Sequence, residues 1–201
     1  MKKVLIIAIG LFASINLYAK DVSKFDIKGI KLGMSKSDVL KRMPCSHPKI
    51  KKDYYYGSSK GNVIECSDDN ELIVFTDNSN KVWSITYKIN FQIEPNWKTI
   101  EKKIFKKYGK TNLVNDTSDS RYYDQKSYCW GTCRTSNGVF NQVNHKSSLT
   151  IVWTHDFSEN RNSMFMALVD GRRQLAFKRW VDNDIYLKNQ KAKQKASNID
   201  F

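Results

Sequence analysis

A chain of 201 residues with 40% hydrophobic and 12% aromatic side chains holds enough apolar material for one packed domain or for two small lobes sharing a sheet. Its 34 Lys and Arg against 20 Asp and Glu give a formal net charge of +14, which steers it towards anionic partners or simply coats it with solubilising lysines. A glycine-rich phosphate loop and His-Glu-x-x-His are both missing, so the sequence offers no nucleotide-loop or zinc-protease motif.

The chain begins Met1-Lys2-Lys3, runs through an apolar segment from Val4 to Leu17 and reaches Ala19 before Lys20-Asp21. A positive start, a short apolar core and a small residue before a polar sequence read as a secretory leader cleaved after Ala19. The apolar run is shorter than the about 20 residues that a membrane-spanning helix needs, and no second span follows. The expected location is therefore periplasmic or secreted, with a mature body that is strongly basic even without Lys2 and Lys3.

The stretch Gly29 to Met43 reads as a short strand turning into a short helix. Ser35 suits the N-cap, Asp38 the positive first turn, and Met34 with Val39 a hydrophobic staple across the helix start. Gly33 suits the tight turn, and Pro44 should stop the helix near Met43. A two-turn helix is marginal alone and must dock through Val39, Leu40 and Met43.

The string Ile30-Lys-Leu-Gly-Met-Ser-Lys-Ser-Asp-Val39 resembles the LGMS-x-x-x-V helix start of small envelope proteins of the BamE-like and β-lactamase-inhibitor-protein-like group. That resemblance implies a short helix or helical hairpin on an antiparallel sheet, and a role in binding other proteins. The chain departs from BamE-like lipoproteins in having no cysteine at the leader cleavage point. No functional residue carries over.

All four cysteines, Cys45, Cys66, Cys129 and Cys133, follow the leader, and an even number in an exported chain argues for two disulfides. Four cysteines permit three connectivities, of which proximity favours Cys45–Cys66 with Cys129–Cys133. The Cys-x3-Cys spacing is not that of a redox motif. His47, His145 and His155 have no zinc-ligand spacing to the cysteines, so no metal or other cofactor is expected.

Tyr54-Tyr55-Tyr56 beside lysines reads as a strand with one buried face rather than a nucleic-acid stacking platform, and no nucleic acid is expected as a partner. Asn62 to Cys66, Leu72 to Phe75 and Val82 to Phe91 form an antiparallel meander, with a turn at Thr76 to Asn80. In the last strand Trp83, Ile85, Tyr87, Ile89 and Phe91 alternate with polar residues.

Asn96 caps a helix in which Trp97, Ile100, Ile104, Phe105 and Tyr108 recur at helical spacing, and Gly109 stands at its end. Lys102, Lys103, Lys106, Lys107 and Lys110 crowd this region, either as the solvated outside of a helix covering a sheet or as an anionic-surface contact.

The polar stretch Thr111 to Ser120 reads as a seam. Arg121 to Arg134 then reads as a strand entering a disulfide-closed loop, Ser148 to His155 and Met164 to Val169 as further strands, and the region from Gly171 as a C-terminal helix ending in cations. The fold class is α+β, with antiparallel sheets covered by short helices. Two organisations fit: a leader 1–19 with lobes 20–115 and 116–201, or one continuous domain 20–201.

The functional expectation is an exported, non-catalytic protein that recognises another envelope protein as an inhibitor or assembly accessory. Tyr128, Trp130 and Arg134 are its candidate contacts, because a stapled loop loses little entropy on binding and Trp, Tyr and Arg dominate interfaces. Trp130 alternatively packs inward. The alternative partner is an anionic envelope lipid or polymer met by the lysine-rich helix. A hydrolase is the third possibility, and no catalytic residue is assigned.

Overall fold

The computed structural model describes residues 21–52, 61–68, 70–111, 113–119, 123–136, 139–142, 146–157, 159 and 161–197. The tyrosine run 54–56 and His145 lie outside them. The chain is α+β. A 3-10 turn (Val22–Lys24), β1 (Asp26–Ile27) and β2 (Ile30–Lys31) lead into α1 (Lys36–Leu40). Next come β3 (Lys49–Lys52), β4 (Asn62–Ser67), β5 (Asn70–Thr76), β6 (Val82–Phe91) and α2 (Trp97–Tyr108). After α2 the chain adds β7 (Leu113–Asp119), β8 (Tyr123–Gly131), β9 (Cys133–Ser136), β10 (Val139–Gln142), β11 (Ser147–Asp156), β12 (Arg161–Asp170) and α3 (Gly171–Ser197).

Eight strands form one antiparallel sheet in the order β3-β4-β5-β6-β12-β11-β8-β7. At its centre β6 pairs with β12 from Ser84 opposite Val169 to Phe91 opposite Asn162, which joins strands from before and after α2. The stretch read in sequence as a seam carries β7, which pairs with β8 and forms the sheet's edge. Its polarity belongs to that position: Asn115, Asp116 and Thr117 keep an unpaired strand edge unattractive to other chains.

One face of the sheet carries the main core. Leu72, Val74, Ile85, Leu168, Leu149 and Ile151 meet Val39 of α1, Ile104 and Tyr108 of α2, and Phe25, Ile27 and Ile30 of the N-terminal hairpin. On the opposite face α3 buries Phe177 and Val181 against β6, β11 and β12. The expected placement of Trp83 with Ile85 and Tyr87 is corrected here. A register shift at Phe75/Thr76 admits Val82 to the main cluster and leaves Trp83 packed on Phe75, 5.3 Å between ring centroids. A bulge of this kind reverses the alternation locally.

Local chemistry fixes the helix starts. Ser35 Oγ accepts from Asp38 N at 3.2 Å, and Asn96 Oδ1 accepts from Thr99 N at 3.1 Å. The turn before α1 is bound to β6 by Gly33 N donating to Val82 O and Val82 N donating to Met34 O. α1 ends at Leu40 rather than Met43, and Val39 O is shared between Arg42 N, in a tighter 3-10 bond, and Met43 N. Asp77, in the turn after β5, accepts from Ser79 N and Lys81 N through Oδ1 and from Arg173 Nη1 through Oδ2 at 2.8 Å, tying α3 to the β5–β6 turn.

The disulfides are Cys45–Cys66 and Cys129–Cys133, with sequence separations of 21 and 4. The longer loop restricts the unfolded chain more. Replacing Cys45 and Cys66 by Ser should lower the unfolding free energy by about 3 kcal/mol, and Cys129→Ala with Cys133→Ala by about 2 kcal/mol. Urea titration of the oxidised proteins checks both values and their order.

Candidate functional site

The alternation of β8 turns Tyr128 and Trp130 towards α2, where they are 1% and 5% exposed. They belong to a chain of ring contacts: Phe25 to Tyr108 at 5.2 Å, Tyr108 to Trp130 at 5.9 Å, and Phe105 to Tyr128 at 5.7 Å. The chain continues from Tyr128 to Trp97 at 6.3 Å and from Trp97 to Trp153 at 5.2 Å. Trp130 Nε1 donates to Gly109 O at 3.0 Å, and the Tyr128 hydroxyl donates to the Glu101 carboxylate. These two side chains seat α2. They do not form a recognition surface, which corrects the expectation for the Cys129 to Arg134 loop.

Arg134 alone of the three candidates is exposed, on the β9–β10 hairpin. The loop itself is tightly built. Gly131 has φ +87°, and a Cβ there would lie 2.4 Å from Ser147 O, so only glycine fits.

On the other side of α2, towards β6 and β12, the packing is incomplete. A groove of about 380 Å³ has Ile27, Tyr87, Ile89, Ile104, Met164 and Met166 among its walls, with Lys28, Lys103 and Lys107 at its edge. Thus Lys103 and Lys107, two of the five lysines singled out in the sequence, share one apolar cavity. Lys102, Lys106 and Lys110 are exposed and do not line it.

Lys28 was not anticipated. It is the first residue of the two-residue turn between β1 and β2, with φ +55°, followed by Gly29 at φ +78°. Asp26 Oδ1 holds this turn by accepting from Gly29 N at 2.9 Å, and also accepts from Lys107 Nζ at 2.8 Å. Two successive positive φ angles define the hairpin turn whose twist matches its strands. The sequence signal was Asp-x-x-Gly between Phe25 and Ile30, on strands too short to show a period.

The electrostatics follow from this geometry. Partial burial pushes the Asp26 carboxyl up, but the Lys107 ammonium and the Gly29 N–H outweigh it and hold the group below the usual carboxylate range. Lys107 is therefore engaged. Lys28 lies 5.0 Å from the Tyr87 ring centroid, and neither Lys28 nor Lys103 has an ion-pair partner among the described residues. The groove thus combines an apolar floor with two lysines that have no ion-pair partner among the described residues.

A second cavity, of about 510 Å³, lies beside the Asp77–Arg173 pair and is bounded by Asp170, Phe177 and Trp180. Its charged groups are already spent on one another and on the α3 start, where Asp170 Oδ1 accepts from Arg172 N and Arg173 N. All four cysteines are oxidised, so none serves as a nucleophile for His155, which packs between Trp153 and Phe157. Among the described residues no three His, Cys, Asp or Glu side chains gather as metal ligands. No family model matches the chain, and no curated protein matches it in sequence.

Burial, reinforced by Asp26 beside Tyr108, raises the Tyr108 phenol; burial, reinforced by the bond to Glu101, raises that of Tyr128. An acid whose folded pKa exceeds its unfolded value of about 10 stabilises the fold below that value and loses the contribution as pH climbs towards the folded pKa. Stability should therefore fall above about pH 10, and Tyr108→Phe with Tyr128→Phe should flatten the decline. Urea midpoints at pH 8, about 10 and about 11 for both proteins measure the difference.

Proposed function

We propose that the chain is an exported, non-catalytic binding protein whose ligand is anionic and is met at the groove beneath α2. The observation that carries this reading is the convergence of Lys28, Lys103 and Lys107 on one apolar cavity, with Lys28 held there by a backbone conformation unusual for a residue with a Cβ. Such a conformation costs roughly 1–2 kcal/mol and persists where the surroundings enforce it. The N-terminal leader pattern supports export into a compartment whose lipids and polymers are anionic.

Recognition of another envelope protein is the second reading. It is favoured by the outward half of α3, where Ile185, Tyr186 and Leu187 are exposed together, and by the helix-start resemblance to envelope proteins that bind other proteins. Arg134 is the remaining surface candidate from the disulfide loop.

The test is sedimentation of the oxidised mature protein with phosphatidylglycerol vesicles, phosphatidylcholine vesicles or bead-bound dextran sulfate. Binding to the anionic materials, with retention lost as salt rises from about 0.1 M to about 1 M and the Debye length falls from about 10 to about 3 Å, is the expected result. Lys28→Asn with Lys103→Glu should weaken it at least tenfold. Lys28→Asn alone should leave the unfolding free energy within about 1 kcal/mol of wild type, since Asn tolerates positive φ. Equal binding to neutral and anionic vesicles overturns the reading.

A further inference from the structure

We infer that the groove takes one hydrocarbon chain carrying an anionic head group: a monomeric single-chain amphiphile of fatty-acid type. Its tail lies along Ile89, Ile104, Met164 and Met166, and its head is held by Lys28 and Lys103. This rests on the anionic-ligand reading above and narrows it to a ligand class.

Three observations point the same way. First, the floor is apolar and drawn from separate elements: Ile27 from β1, Ile104 from α2, Ile89 from β6, and Met164 and Met166 from β12. A polyanion or a phosphate surface gains nothing from such a floor, whereas a hydrocarbon chain gains about 25 cal/mol for every Å² removed from water. Methionine thioethers are flexible and polarisable, which suits a chain of variable conformation.

Second, the charges stand at the edge of the cavity. Asp26 neutralises Lys107, while Lys28 and Lys103 lack carboxylate partners among the described residues, so the cationic complement for one anionic head is unspent. Third, the volume of about 380 Å³ sits near the lower end of the about 300–1,000 Å³ of small-ligand sites, room for one chain and not for the paired tails of a diacyl lipid. The occupant is therefore a free single-chain molecule rather than a bilayer lipid.

The experiment follows the methyl signals of Met164 and Met166 by ¹³C NMR in protein labelled at methionine, titrated with laurate below its micelle concentration and, in parallel, with dodecanol, acetate and phosphatidylglycerol vesicles. Saturable laurate-induced shifts of both methyls, no shift with acetate, and at least tenfold weaker binding of dodecanol are the expected results. Ile100→Trp, which fills the groove from α2, should abolish the laurate response while leaving dextran sulfate binding intact. Lys28→Asn with Lys103→Glu should reduce laurate affinity at least tenfold.

Binding of dodecanol as tight as laurate overturns the assignment of the head group. Vesicle or dextran sulfate binding without any laurate shift overturns the amphiphile site and leaves the broader anionic reading standing. Failure of all of these ligands removes both. The methyl titration needs no variant, so a misfolded Ile100→Trp protein does not protect the proposal.

Discussion

The pairing of β6 with β12 organises everything else in the molecule. It places strands made before and after α2 side by side at the centre of the sheet, so the connection through α2 must pass over one face. The N-terminal hairpin and α1 share that face with α2, while α3, which starts directly after β12, packs on the other. The Asp77–Arg173 ion pair then links α3 back to the turn that opens β6. Asp77 is nearly buried and also holds its own turn through two backbone N–H groups, so its carboxylate is solvated by protein rather than water. A charge so satisfied costs little to keep, whereas loss of one partner would strand the other.

The two sides of α2 differ in how they meet the sheet, and the groove is a product of that difference. Towards β8 and β11 the interval is filled by rings: Trp97, Phe105 and Tyr108 against Tyr128, Trp130 and Trp153. Towards β6 and β12 it is met by Ile89, Met164 and Met166, which line a groove open at the surface. The aromatic side fixes the height of the helix above the sheet through the Trp130 bond to Gly109 O and the Tyr128 bond to Glu101.

Much of the fold was legible because its signals are local. The cap at Ser35, the cap at Asn96, Gly109 after α2, the bounds of β6 and the two nearest-neighbour disulfides each depend on a few adjacent residues. The illegible parts depend on partners remote in sequence. The polar composition of β7 conceals a strand because an edge position rewards polarity. Trp83 follows a register shift that no periodicity announces, and Tyr128 and Trp130 looked like interface anchors because aromatic residues serve cores and interfaces equally. The groove is the extreme case: Lys28 enters from a hairpin of two-residue strands and meets Lys103 only through the tertiary fold.

Among its described side chains, α3 is anchored along its first half. Phe177 and Val181 are buried, whereas every side chain from Ile185 to Ala192 is exposed. Helices shorter than about 12–15 residues are marginal in water without packing, so the outer turns rest on propensity and on local pairs such as Asp184 with Lys188, 2.9 Å apart. The consequence is a gradient of opening free energy along one continuous element. Amides near Phe177 exchange with solvent only when the sheet itself opens, while those beyond Ile185 exchange by fraying from the tip. A molecule that docks on the outer turns would therefore be felt first as slowed amide exchange there, with order spreading inward towards a segment that was rigid from the start.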